Sequence, residues 1–158
     1  QLDEPALPRV LAGRLRTASG FGPLRTPEAA EVQAALASVL SAVPRAGVHC
    51  CAADVPVALL CAAGATWVSL DATLRHDEDQ LGEAYEAGTT MLLGVDDDPA
   101  PARRLLHRLG VDPAVAREQT VLTPTCGLAG RPEPDAWETY RRLVERARRL
   151  AEELGEAS

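Results

Sequence analysis

The sequence predicts an α/β fold built on a parallel sheet. Short apolar runs alternate with longer amphipathic segments along the chain, which is typical of repeated strand–helix units. Four of the helical segments are marked by a proline near the start or a glycine after the end, as expected at helix boundaries. The length of 158 residues, with 46% hydrophobic and 25% charged residues, is that of one globular domain covering residues 1–158.

Five segments have the length and composition of buried strands. Each is a short apolar run bounded by Gly, Pro or Asp, as strand ends commonly are. The first is cut short by the N-terminus at Leu2, and the others span residues 46–50, 65–70, 89–95 and 119–123.

The intervening segments carry helix signals. Apolar residues recur with a helical period, and the N-termini offer capping residues or a proline in the first turn. The expected helices are 27–43 with Thr26 as N-cap, 54–63 with Asp54 as N-cap, 77–87 with Asp77 as N-cap, 101–109, and 134–154. Consecutive strand–helix units produce either a doubly wound sheet or part of a barrel.

Composition and charge exclude several classes of protein. The net charge of −7 argues against nucleic acid as the main partner, because phosphate backbones require a basic surface. No apolar stretch approaches the ~18 residues of a membrane span. The chain opens on Gln1-Leu2-Asp3-Glu4, which lacks the basic start of a signal peptide, so we expect a cytoplasmic protein.

Polar residues that follow the strands predict a functional site. In parallel α/β folds the functional groups gather at the carboxyl ends of the strands. The groups found there are carboxylates, a histidine and cysteines: Asp3 and Glu4, His49 with Cys50 and Cys51, Asp71, Asp96 to Asp98, and Cys126.

Four of these residues have the side chains of a zinc site. His49 and Cys51 lie two positions apart at a strand end and should face the same side, with Cys50 facing the other. Asp71 and Cys126 follow other strands and would complete four ligands. The alternative is that each thiol is a small buried hydrophobe.

The remaining cysteine and histidines have simpler interpretations. Cys61 falls on the helix after the second strand and is expected in the core. His76 and His107 are expected on helix surfaces with no catalytic role. Disulfides are not expected in an acidic protein of a reducing compartment.

Four motifs resemble the cobalamin-independent methionine synthase family, specifically its C-terminal catalytic barrel and its short single-barrel members. They appear in the family's order and extend over most of the chain. They are Gln1-Leu2-Asp3-Glu4-Pro5-Ala6-Leu7, Val48-His49-Cys50-Cys51, Val68-Ser69-Leu70-Asp71 and Thr123-Pro124-Thr125-Cys126-Gly127-Leu128.

The resemblance implies a fold, a cofactor and a reaction. The fold would be the C-terminal part, about five βα units, of a TIM (β/α)8 barrel like that of methionine synthase and uroporphyrinogen decarboxylase, with the N-terminal half absent from this chain. Zn²⁺ would be held by His49, Cys51, Asp71 and Cys126 and would bind homocysteine as a thiolate for methylation to methionine. Asp3 would hold the substrate's amino group as the catalytic carboxylate, and Glu4 would bind substrate or orient a neighbour. The alternative is that Asp3-Glu4-Pro5 is only a strand-to-helix turn.

The sequence departs from the family pattern in two places besides its missing half. Asp71 stands where the family usually has Glu and is one methylene shorter. The segment 94–100 lacks the family's histidine, the general acid toward a folate donor. Methyl transfer from a corrinoid or other methyl carrier, or a diverged alkyl transfer to a thiol, is therefore more strongly indicated than transfer from methyltetrahydrofolate.

Two alternatives remain open from the sequence. One is a decarboxylase-like barrel without zinc, which the paired thiols and the P-x-CGL motif disfavour. The other is a truncated or diverged barrel that binds zinc or self-associates without turnover. Free sheet edges would favour a homo-oligomer, or pairing with the missing barrel half.

Overall fold

The computed structural model describes residues 1–96 and 98–156, and Asp97 of the predicted acidic loop lies outside them. The strands are β1 (Leu2–Asp3), β2 (Gly47–Cys50), β3 (Trp67–Asp71), β4 (Thr90–Gly94) and β5 (Thr120–Thr123). The helices are α1 (Leu7–Leu11), α2 (Ala29–Leu40), α3 (Val57–Ala62), α4 (Glu78–Glu86), α5 (Ala100–Leu109), α6 (Pro113–Gln119) and α7 (Glu133–Glu156).

The five strands form one parallel sheet in the order β1-β2-β3-β4-β5. This confirms the α/β class and all five predicted strands. The register places Asp3 beside His49, His49 beside Ser69, and Ser69 beside Leu92. Because the strands are parallel and run in chain order, the segments after them all emerge at the same end of the sheet.

One face of the sheet forms the core against the helices. Alternate strand residues on this face are fully buried, among them Val48, Val68 and Met91. They cluster with apolar side chains of α2 to α5, such as Leu60 and Leu81. We call this the covered face. The opposite face carries His49, Cys51, Ser69, Leu92 and Val121, and we call it the open face.

Asp77 caps its helix as predicted, with Oδ1 accepting from the amides of Asp79 and Gln80. Gly110 ends α5 in the left-handed conformation. Asp54 does not cap α3, which begins at Val57.

Asp54 instead has a positive φ of 56° and donates its amide to the carbonyl of Arg75. This bond ties the segment after β2 to the segment after β3.

Two helices were not predicted. α1 follows β1 directly and is only five residues long, too short for a periodic signal. α6 has a recognisable start, because Asp112 accepts from the amide of Ala114 and Pro113 occupies the first turn.

The predicted position of His76 on a helix surface was wrong. His76 lies in the loop before α4, is 7% exposed, and its Nε2 lies 2.8 Å from the carbonyl oxygen of Asp71. His107 is exposed on α5 as predicted. Cys61 is half-buried on α3 and packs against the core.

The helices of the described residues do not include one with the length and apolar character needed to cross a membrane. α7 is the longest, and it carries charged residues along its length.

Candidate metal centre

Three of the four predicted ligands come together in the structure. The ligand atoms of His49, Cys51 and Cys126 all lie within 4.8 Å of one another. The two sulfur atoms are 4.0 Å apart, and both cysteines are free thiols. Two sulfurs bound to one tetrahedral Zn²⁺ at about 2.3 Å would be about 3.8 Å apart. The spacing of the thiols therefore fits a shared metal ion of this kind.

The chain at the end of β2 supplies the first two candidate ligands, His49 within the strand and Cys51 directly after it. His49 and Cys51 point to the open face, while Cys50 between them is fully buried on the covered face. This is the alternation that an extended strand imposes. The prediction that Cys50 faces the opposite side of the strand from His49 and Cys51 is confirmed.

Ser69 orients the imidazole of His49. Its Oγ lies 2.9 Å from His49 Nδ1, and Ser69 is itself buried on the neighbouring strand. In the tautomer with the proton on Nδ1, His49 donates to Ser69 and leaves the Nε2 lone pair free. A hydrogen bond to the second ring nitrogen is the usual way in which proteins position a metal-binding histidine.

Cys126 reaches the site because the loop after β5 passes closely over the end of β4. A Cβ on Gly94 would lie 2.8 Å from the Cα of Thr125 and 2.9 Å from the carbonyl oxygen of Leu70. Only glycine leaves room for that approach. Thr125 Oγ1 also donates to Asp96 Oδ1 at 2.9 Å, which ties the loop after β5 to the loop after β4.

Asp71, the fourth predicted ligand, stands apart from this group. Its Oδ1 accepts hydrogen bonds from the amide and the hydroxyl of Thr73, at 2.8 and 2.6 Å. The group of three that shares the 4.8 Å limit does not contain it. Asp71 is nevertheless near enough for its charge to raise the pKa of Cys51.

The two carboxylates at the end of β1, Asp3 and Glu4, have different surroundings. Asp3 lines the same cleft as His49, Cys51 and Cys126, and it accepts a hydrogen bond from the side chain of Gln1 at 2.7 Å. Glu4 is not among the cleft-lining residues, and its charge raises the pKa of Cys50 on the opposite face. The Glu4 amide donates to the carbonyl of His49 at 2.8 Å, which joins the ends of β1 and β2.

The pKa values of the two adjacent thiols at the end of β2, Cys50 and Cys51, are both raised above the usual thiol value. Burial raises the pKa of Cys51, and the hydrogen bond with Cys126 and the negative charge of Asp71 raise it further. Burial likewise raises the pKa of Cys50. A metal cation would reverse this effect at Cys51, because metal binding favours the thiolate.

The candidate metal site opens into a cleft of about 860 Å³. The cleft continues from His49 and Cys51 past all four residues of β5 to the apolar side of α7. That side presents Tyr140, Leu143, Val144, Ala147, Leu150, Ala151 and Leu154. Asp3 and Arg117 are the charged residues among the described lining, so most of the cleft is apolar.

Sequence reasoning missed the residues that support the ligands. The position of Ser69 beside the site could have been predicted, because it lies two residues before Asp71 and so shares its face of the strand. The bond between Thr125 and Asp96 could not, because it joins two loops that are 29 residues apart. The cleft-lining side of α7 depends on how that helix packs beside β5.

Comparison of the chain with protein-family models, with curated proteins and with solved structures finds no significant match.

Proposed function

We propose that this protein is a zinc-dependent methyltransferase that activates the thiol of homocysteine and produces methionine. The observation that carries the proposal is the convergence of His49, Cys51 and Cys126 within 4.8 Å at the carboxyl end of a parallel sheet. One histidine and two cysteines leave a fourth position of a tetrahedral ion for a substrate, as in catalytic zinc sites.

The same proposal assigns the sheet to part of a TIM barrel. Two features support it. The strands follow chain order without the reversal that marks a doubly wound sheet. The candidate ligands also lie on the open face, opposite helices α2 to α5, and at the carboxyl ends of the strands, where barrel enzymes have their sites.

Each residue of the site has a role in the proposed reaction. His49, Cys51 and Cys126 would hold the zinc, with Ser69 fixing the imidazole. When bound, zinc would keep the homocysteine sulfur as a thiolate at neutral pH. Asp3 faces the same cleft and would pair with the substrate's ammonium group. The thiolate forms a bond to the methyl carbon as the bond between that carbon and the donor breaks.

The donor is proposed to be a corrinoid rather than a folate. A folate leaving group needs a proton at nitrogen, and the resemblance places that acid in the segment 94–100, which contains no histidine. A methyl group on cobalt leaves without such a proton. The reduced thiols that the site requires fit a cytoplasmic location.

A second candidate function is a metal-binding subunit without turnover. The observation that favours it is the large uncovered part of the cleft, where Val121, Tyr140 and Val144 are each about half exposed. In this case the open face would be completed by another protein surface rather than by substrate.

Metal analysis tests the first proposal. The purified chain is loaded with zinc, dialysed and measured for bound metal. We expect about one zinc per chain in the wild type and a large loss in Cys126→Ser. Cys61→Ser is the matched control, because Cys61 is a thiol outside the site, and it should retain the metal. A wild-type protein without zinc would contradict the proposal.

Turnover separates the two candidate functions. Homocysteine is offered with methylcobalamin or with methyltetrahydrofolate, and methionine is measured. Production with methylcobalamin alone supports the proposed enzyme and donor. Stoichiometric zinc without methionine from either donor favours the binding subunit.

A further inference from the structure

We propose that Cys51 and Cys126 form a redox pair, which a peroxide converts to an intrachain disulfide when no metal is bound. The inference concerns regulation of the proposed zinc site and rests on that function for its biological meaning. The chemistry itself needs only the two thiols, so it can be tested separately.

The geometry already places the two sulfur atoms close together. They are 4.0 Å apart, and a disulfide requires about 2.05 Å. Closing the remaining 2 Å requires rotation of the two side chains and a movement of the loop that carries Cys126. Cys126 is exposed in the loop between β5 and α7, whereas Cys51 is half-buried at the end of β2. The exposed member is the one that can adjust and the one that a dissolved oxidant reaches first.

The other two cysteines are poorly placed to compete. Cys50 is next to Cys51 in the chain, but it is fully buried on the covered face. Cys61 lies on α3, with its sulfur 3.5 Å from the hydroxyl of Thr89. The fold therefore selects one pair from four thiols.

The reaction with hydrogen peroxide balances in two steps. The sulfur of Cys126 attacks the peroxide, the O–O bond breaks, and a sulfenic acid and one water are produced. The sulfur of Cys51 then attacks the Cys126 sulfur, the S–O bond breaks, and the hydroxide leaves as a second water with the thiol proton. In total two thiols lose two electrons and two protons, and one peroxide becomes two waters.

The disulfide and the metal exclude each other. Oxidation removes two of the three ligands, and a bound metal in turn occupies both sulfur atoms. Oxidant would therefore trap the metal-free protein in a form that cannot take up zinc until a thiol reductant restores it.

The test uses the full chain, stripped of metal and exposed to hydrogen peroxide near stoichiometry. We expect free thiols to fall from four to about two, a mass loss of about 2 Da, and a Cys51–Cys126 cross-link in peptide mapping. Dithiothreitol should reverse all three changes. Cys61→Ser should still form the cross-link, whereas Cys126→Ser should not.

The outcomes separate this inference from the zinc proposal. No Cys51–Cys126 cross-link in the metal-free wild type, or a cross-link mapped to Cys50 or Cys61, overturns the redox pair. If the cross-link forms and zinc slows it about tenfold or more, both proposals gain support. If it forms equally fast with zinc present, the redox pair stands and the zinc site fails.

Discussion

The two faces of the sheet are built from the same strands but differ in how deeply their side chains are buried and in how polar they are. On the covered face the side chains of Val48, Val68 and Leu70 have no exposed surface. On the open face His49 and Cys51 are half-buried, and Val121 is 47% exposed. The covered face supplies burial of apolar surface, and the open face supplies polar groups that point into a cleft.

Cys50 and Cys51 show most clearly what this difference means. They are chemically identical neighbours, yet one is a core residue and the other a candidate metal ligand. The alternation of side chains decides the role, since adjacent residues along an extended strand point to opposite faces of the sheet. Substitutions on the two faces should therefore have different consequences, and four experiments test that expectation.

The largest expected effect is on the covered face. Leu70→Ala should lower the free energy of unfolding by about 2 to 5 kcal/mol, because it removes a fully buried side chain and leaves a cavity. Leu92→Ala, on the open face, should cost about 1 kcal/mol because Leu92 already faces the cleft. Urea denaturation of both variants measures the difference. Equal losses would show that the open face is as well packed as the core.

The second effect depends on pH and concerns Tyr85, a buried residue of α4 that belongs to the core against the covered face. Burial raises the pKa of Tyr85 to about 12, although its hydrogen bond with Thr120 opposes the shift. An unfolded tyrosine titrates near pH 10. The contribution of neutral, buried Tyr85 to the free energy of unfolding is therefore intact below about pH 10 and is lost as the pH rises towards 12. The loss should be on the order of 2 kcal/mol.

Tyr85→Phe isolates this alkaline effect. At neutral pH it should cost about 1 kcal/mol for the lost hydrogen bond, and the fall in stability above pH 10 should become shallower. Tyr140→Phe is the matched control, because Tyr140 is exposed and should leave the alkaline slope unchanged. An unchanged slope in Tyr85→Phe would contradict the assignment.

The third effect is on the open face. Ser69→Ala should weaken zinc binding about tenfold, because His49 loses the group that orients its ring. Isothermal titration of zinc into each protein measures it. Ser41→Ala, at an exposed position after α2, should bind as the wild type does. Unweakened binding by Ser69→Ala would mean that His49 needs no such support.

The smallest effect concerns the loop that carries Cys126. Thr125→Val removes the hydrogen bond to Asp96, which is exposed to solvent. We expect a loss of about 1 kcal/mol or less in stability, and a few-fold weaker zinc binding. The same titration detects the change. Binding weakened more than in Ser69→Ala would show that loop position matters more than ring orientation.

Local patterns were sufficient to predict most of the architecture. The five strands, and the helix that begins after Asp77, follow from short apolar runs and capping residues that act over a few positions. The failures have local causes as well. Asp54 looked like a cap, but a hydrogen bond to Arg75 holds it outside α3. His76 looked like a surface residue because nothing nearby in the chain shows that its loop folds inward.

The amino-acid sequence alone specified which chemical groups stand at the carboxyl ends of the strands. The alternation of side chains along an extended strand also specified that His49 and Cys51 share a face. Only the tertiary structure decided which groups meet. It brought Cys126 within 4.0 Å of Cys51 through the close passage of the loop over Gly94. It also left Asp71 hydrogen-bonded to Thr73 and outside the group formed by His49, Cys51 and Cys126. Distances between separate strand ends depend on packing and loop paths, which the spacing of residues along a chain does not contain.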